Sequence, residues 1–202
     1  MKTLLKIQAS LFGDAGQSSQ LAAHYAADWL KKNPGGRVVT RDLATQPVPP
    51  LTAQRFQALG TKPGERTAAQ QAVVNLSDTL IEELMVADEI VFAVPMYNFN
   101  IPSGLQSWFD HVARAGVTFR YTENGPEGLI GNKRVHVFVT RGGQYGEAHP
   151  QTAYLRQILD FIGLADANIV LAEGLAMGDA AREKSLAAAR HAIAELLEPL
   201  AA

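Results

Sequence analysis

The sequence predicts an α/β fold: a five-stranded parallel sheet, doubly wound, with helices on both faces. Short apolar runs recur five times along the 202 residues, each fit for a buried strand. Between them lie segments with apolar residues three and four positions apart, the spacing of helices. No internal repeat, low-complexity tract or linker divides the chain, and its length fits a single domain over residues 1–202.

Leu4 to Ala9 reads as the first strand. Gln17 to Lys32 reads as a helix because Leu21, Tyr25 and Trp29 fall on one face, and Asn33-Pro34-Gly35-Gly36 stops it. Arg37 to Arg41 is a short second strand. Asp42 to Pro50 holds three prolines and reads as loop, with Leu51 to Gly64 loosely helical. Glu65 to Val86 is a long helix, and Glu89 to Val94 the third strand. Ser103 to Ala113 is helical, with Leu105, Trp108, Phe109 and Val112 as its core stripe. Gly116 to Asn132 is a long connection with a small hairpin around Asn124-Gly125. Arg134 to Thr140 is the fourth strand, Thr152 to Ile162 a helix, and Ile169 to Leu171 the centre of the fifth strand. Asp179 to Leu200 is the last helix, Ala-rich, with Leu186, Ile193 and Leu197 facing inward. Strands alternating with helices imply right-handed crossovers, and the flavodoxin-like order is the commonest five-stranded solution.

Composition narrows the function. A hydrophobic content of 47% with 19% charged residues is that of an ordinary globular protein. A net charge of −2 provides no basic face for nucleic acid. No apolar run reaches the roughly 20 residues of a membrane span. The first seven residues read as a strand rather than a signal peptide, which makes the cytoplasm the expected compartment. Without cysteine there is no thiolate nucleophile or thiolate metal site. The five histidines show no metal-ligand spacing, and only His149 lies near a candidate loop.

Three loops leave carboxyl ends of strands, where open α/β sheets bind ligands. Ser10 to Ser19 combines hydroxyls, an amide side chain and two glycines at a helix amino end, a site for an anion such as phosphate. On the residues alone, Ser18 or Ser19 serves equally well as a helix cap. The loop carries neither GxxxxGK[ST] nor GxGxxG. Pro95-Met96-Tyr97-Asn98-Phe99-Asn100-Ile101-Pro102 is apolar and aromatic where a plain turn would use Gly, Asp or Ser. It suits a flat aromatic ligand or, equally, a hydrophobic plug; buried amides at Asn98 and Asn100 would favour a heteroaromatic edge. Thr140-Arg141-Gly142-Gly143-Gln144-Tyr145-Gly146 allows close backbone approach to a ligand, or is simply a flexible loop. Phe119 to Gly125 places aromatics in a polar segment that caps a pocket, meets a second subunit, or forms a surface hairpin.

With those strings in view, the chain resembles the bacterial FMN-dependent, NADH-linked azoreductases, within the flavodoxin-like quinone reductases. The resemblance spans essentially the whole chain and is most specific at Pro95–Pro102, Arg114–Tyr121, Gly125–Leu129 and Arg141-Gly142-Gly143. It implies that Ser10 and the turn Gly16-Gln17-Ser18 hold the FMN phosphate. It implies that Pro95, Met96, Tyr97, Asn98 and Phe99 flank the isoalloxazine ring, with Thr140, Arg141, Gly142 and Gly143 touching it from a second segment. Phe119, Tyr121 and Tyr145 become substrate-cleft candidates. No side chain is assigned as catalytic, because hydride moves on FMN, and no metal is implied. The family usually has Ser at positions 16 and 140, and some relatives carry His where this chain has Tyr145. The resemblance further implies NADH or NADPH as donor, quinones and aromatic azo compounds as acceptors in a two-electron ping-pong cycle, and a homodimer. Two other functions share the fold: an electron carrier, which is usually strongly acidic, and a receiver domain, which needs an Asp where the strands here end in Ala9-Ser10 and Val94-Pro95.

Overall fold

The computed structural model of the protein describes residues 1–131 and 133–198. Among the described residues there are seven strands: β1 (Thr3–Gln8), β2 (Arg37–Asp42), β3 (Glu89–Pro95), β4 (Phe119–Thr122), β5 (Gly125–Gly128), β6 (Arg134–Thr140) and β7 (Asn168–Ala172). The described residues also form the α-helices α1 (Gln17–Lys32), α2 (Ala53–Gly60), α3 (Ala68–Val86), α4 (Ser103–Val112), α5 (Pro150–Phe161) and α6 (Asp179–Glu195). Five strands form one parallel sheet in the order β2-β1-β3-β6-β7. This is the flavodoxin-like order, and it reverses direction between β1 and β3. The loops after those two strands therefore diverge at one crevice.

Alternation along the strands divides the core. Ile90, Phe92 and Val94 of β3, with Val135, Val137 and Val139 of β6, face α3, α4 and α5. Val91, Ala93 and Phe138 face α1 and α6. A parallel sheet covered on both faces needs apolar residues at nearly every strand position, which is why these strands read as unbroken runs. The predicted stripes are buried as read: Leu21, Tyr25 and Trp29 on α1, and Leu105, Trp108, Phe109 and Val112 on α4. Each such side chain contributes about 1.5–3 kcal/mol by leaving water.

Local chemistry moved several boundaries. The long helix begins at Ala68 rather than Glu65, because Thr67 and Gln70 form a reciprocal capping box. Pro63–Glu65 is a separate 3-10 turn. The helix after the third loop begins at Pro150, where a fixed φ and a missing N–H suit the first turn, and His149 caps it through Nδ1. The expected hairpin is β4–β5, antiparallel around Glu123-Asn124. Asn132, at the end of that connection, and Pro199 and Leu200, at the end of the expected last helix, lie outside the described residues. Among the described residues no helix is long and apolar enough to cross a membrane.

At the amino edge of the sheet, opposite the crevice, a carboxylate is buried. Glu89 accepts hydrogen bonds from Tyr25 Oη and from Trp29 Nε1 at 3.0 Å, and meets His136 Nε2 at 3.2 Å. Burial opposes its charge, yet hydrogen bonds from His136 and Tyr25, helped by Arg134, hold its pKa below the ordinary value. Burial, with that same carboxylate, pushes the Tyr25 phenol up.

Candidate functional site

The first loop folds back on itself before α1. Gly13 N–H donates to Ser10 O at 3.1 Å, and Gly16 caps the helix in extended backbone with no side-chain bond. Ser18 and Ser19 are therefore not caps of α1. They sit in the first turn, 0% and 1% exposed, and neither hydroxyl has a partner among the described residues. The first amide to bond back is Gln20, to Gly16 O at 2.9 Å. The amides of Gln17, Ser18 and Ser19 are the unsatisfied donors of a helix start. Buried hydroxyls without partners need an explanation, and an anion held at this helix end supplies one. At position 16, a Cβ would overlap Ser10 Oγ and Cβ. Glycine lets the loop close on itself, so the family's Ser would force Ser10 to move.

The second loop is fastened at both ends and strained in the middle. Met96 N–H donates to Thr140 O at 2.8 Å, tying it to β6. Tyr97 and Asn100 exchange backbone hydrogen bonds at 3.0 and 3.1 Å around a two-residue turn. Its central residues, Asn98 and Phe99, have φ of 48° and 66°. Asn tolerates this region; Phe does not, and its strain is on the order of 1 kcal/mol. Phe99 is 65% exposed. It stands edge-on to Tyr145, with centroids 5.9 Å apart at 84°. Strain combined with an exposed aromatic marks a residue kept for its ring rather than for the turn. The expectation that Asn98 and Asn100 are buried is corrected: both are exposed, because the tight turn projects beyond the sheet edge. Asn100 Oδ1 accepts from Ile101 N–H at 2.8 Å. Tyr97 Oη accepts from Leu11 N–H at 3.3 Å and lies 3.5 Å from Ser10 Oγ, joining the first two loops.

The third loop leans on a fourth that the sequence reading missed, Glu173 to Gly178 after β7. The carbonyls of Arg141, Gly142 and Gly143 accept from the amides of Leu175, Ala176 and Gly174 at 3.1, 3.0 and 2.9 Å. Arg141 N–H is used by Ala172 O, whereas the amides of Gly142 and Gly143 have no protein acceptor among the described residues. The signal in the sequence was the same strand-end rule, with Gly174, at φ 73°, two residues after β7. The Arg141 side chain is buried behind the loop, paired with Glu173 at 2.8 Å, so only its backbone faces the crevice. Burial opposes the Glu173 charge, but hydrogen bonds from Arg141 and the amides of Tyr145 and Gly146 hold its pKa below the usual range. The Tyr145 ring lies against Gly143, where a Cβ would fall 2.9 Å from its Cζ.

These loops border an open groove of about 180 Å³ lined by Ser10, Gly16, Gln17, Pro95 to Tyr97, Thr140 to Gly142, Phe12 and Leu175. A second cleft of about 630 Å³ shares Tyr97 and adds Asn98, Asn100, Leu51 and the first turns of α4. The structure thus brings most of the implied cofactor residues to one crevice, with Ser18 in the adjoining helix turn and Phe99 at the rim beside Tyr145. It does not bring Phe119 there. That ring is buried in the hairpin against Phe161, at 4.2 Å between centroids, so its assignment to the substrate cleft is corrected. Tyr121 is exposed on the same hairpin and lines neither cleft of its own chain.

The family model described as "Flavodoxin-like fold" matches residues 1–197. An FMN-dependent NADH:quinone oxidoreductase of Cellvibrio japonicus is 52% identical over 195 residues, covering 96% of this chain and 97% of that protein. One from Bordetella avium is 48% identical over 205 residues, covering 100% of both. Among solved structures, an azoreductase from Bacillus anthracis superposes with a TM-score of 0.87 at 27% identity, covering 97% of this chain and 98% of that one. An FMN-dependent NADH-azoreductase from Bacillus anthracis, in complex with FMN, gives 0.86 at 25% identity, covering 98% and 100%. The crevice at the β1/β3 switch and the similarity along nearly the whole chain agree: the chain belongs to the flavodoxin-like family, in the branch whose curated relatives are FMN-dependent NADH:quinone oxidoreductases.

Proposed function

We propose that this chain is an FMN-dependent NADH:quinone oxidoreductase that also cleaves aromatic azo compounds to amines, acting as a single domain over residues 1–202. The observation that carries the reading is the set of unpaired donors at the crevice: two buried serine hydroxyls at the start of α1 and the bare amides of Gly142 and Gly143. They suit the two polar parts of FMN. The phosphate fits at Ser10 and the turn Gly16-Gln17-Ser18, where amides and hydroxyls supply donors without a cation. The ring fits between Pro95–Phe99 and Thr140–Gly143, with Ser10 and Tyr97 bracing the junction.

FMN, when bound, supplies the two-electron chemistry linking nicotinamide and acceptor. This chain's residues bind and orient. Gly142 and Gly143 offer preorganised N–H groups to negative charge that develops at the polar ring edge. Asn98, exposed beside the crevice, offers its amide to the same edge. Phe99 and Tyr145 form an aromatic rim that admits planar acceptors and keeps water from one side. No nucleophile is required, so acceptor choice is broad.

The active unit is a homodimer in the cytoplasm. In support, Leu11, Phe12, Phe99, Tyr121 and Tyr145 are exposed apolar or aromatic residues, four of them on the crevice loops, an arrangement typical of a surface that meets a partner. An anaerobic spectrum of the FMN-loaded protein tests the reading. Bleaching by NADH and recovery on adding a benzoquinone is the expected result, and no uptake of FMN overturns it. Initial-rate lines that intersect rather than run parallel would overturn the ping-pong order, and a monomer in sedimentation would overturn the dimer.

A further inference from the structure

Behind the third loop runs a buried polar network that the proposed chemistry does not use. Arg141 Nε donates to Gln151 Oε1 at 3.0 Å, Nη2 to Thr152 Oγ1 at 2.6 Å and Nη1 to Gly146 O at 2.9 Å. Nη1 also pairs with Glu173 at 2.8 Å. The Glu173 carboxylate accepts the amides of Tyr145 and Gly146, each at 3.1 Å. Gln151 Nε2 continues to Pro95 O at 3.4 Å and Asn100 O at 3.3 Å. One connected set of side chains thus links the ends of β3, β6 and β7. Its centre is a guanidinium with no solvent exposure, which is costly without its counter-charge. Such networks hold only when every member is satisfied.

We propose that Glu173 is a positioning residue for the cofactor-facing amides. It neutralises Arg141 and grips Tyr145 and Gly146, and so holds the N–H groups of Gly142 and Gly143 aimed at the crevice. The segment between carries glycine at 142, 143 and 146 and has little stiffness of its own. The inference rests on the FMN reading above. Donors fixed in place matter most where negative charge develops, so the reduced form of the cofactor depends on Glu173 more than the oxidised form.

Glu173→Gln keeps the volume but replaces one acceptor oxygen with an NH2 group that faces another donor, the Gly146 amide. Oxidised FMN is expected to bind about tenfold more weakly and reduced FMN about a further tenfold, which lowers the midpoint potential of the bound cofactor by about 30 mV. Amide exchange at Tyr145 and Gly146 should quicken in the FMN-free protein. A potential that rises would mean that Glu173 acts only as a nearby negative charge. An unchanged potential, whatever the melting temperature, would mean that it is only a brace. Either result overturns the inference. If far-UV circular dichroism shows that Glu173→Gln does not fold, Thr152→Val carries the same test. It removes one Arg141 partner outside the crevice, with a smaller fall of the same sign expected. Wild-type protein that takes up no FMN would overturn the proposed function; wild type that binds FMN beside variants that match it would overturn the positioning role alone.

Discussion

Replacing Ser18 with Ala should stabilise the FMN-free protein while weakening its hold on FMN. The hydroxyl is fully buried and unpaired. A buried polar group without a partner costs roughly 1–3 kcal/mol. Deleting it recovers part of that, and Ala is the better helix former by roughly half a kcal/mol. Offsetting these against the small void left by the oxygen, a gain of about 1 kcal/mol is expected. For a chain of this size that raises the melting temperature by roughly 2–4 °C. With FMN bound, the hydroxyl donates to a charged phosphate, a bond worth about 1.5 kcal/mol, so Kd should rise about tenfold. At a fixed excess of FMN the thermal shift caused by ligand then shrinks by the corresponding roughly 1.4 kcal/mol. Thermal melting with and without FMN, beside a flavin-fluorescence titration, reads both effects. A lower melting temperature without FMN together with an unchanged Kd would refute the reasoning, because the hydroxyl would then have its partner inside the protein.

Other expectations follow from the same geometry. Asn98 sits at φ 48°, so Asn98→Ala would mix backbone strain of about 1 kcal/mol with loss of the amide, whereas Asn98→Gly removes the amide alone. Asn98→Gly should leave the melting temperature of the FMN-free protein nearly unchanged and weaken FMN binding severalfold; equal affinity would show that the amide is a turn former only. Glu89→Gln leaves three donors facing one acceptor in the buried cluster and should cost about 3 kcal/mol in urea unfolding, with no change in FMN affinity, since the cluster lies at the other end of the sheet. In the native protein the Glu89 pKa lies below its ordinary 4.5, so its contribution is complete above that pH and is lost as pH falls towards the folded value. The Gln variant should lose that part of the acid dependence, and an identical acid midpoint would contradict it. Gly128→Ala would push a Cβ into the backbone of Gly163, and should destabilise the docking of the β4–β5 hairpin by several kcal/mol; a melting temperature matching wild type would show that the hairpin can shift freely.

The fold was legible because its signals are local and periodic. The stripe of Leu105, Trp108, Phe109 and Val112, and the run Ile90–Val94, report burial on one face or two wherever the chain lies. The three loops were legible because glycine pairs and aromatics at strand ends depart from ordinary turn chemistry. Long-range geometry was not. Whether Ser18 caps α1 or waits unpaired depends on Gly16 closing against Ser10, which is a matter of ångströms. Phe119 looked like a cleft residue because its neighbours are polar, but Phe161, far along the chain, covers it. Glu173 has the composition of any surface carboxylate, and only the meeting of β6 with β7 puts it beside Arg141. Sequence alone thus determined the doubly wound sheet and the end of it that binds a ligand, since strand period and turn chemistry are written in adjacent residues. The tertiary structure alone decided which donors stay unpaired and which charges are buried together, because hydrogen-bond partners and burial are set by residues distant in the chain.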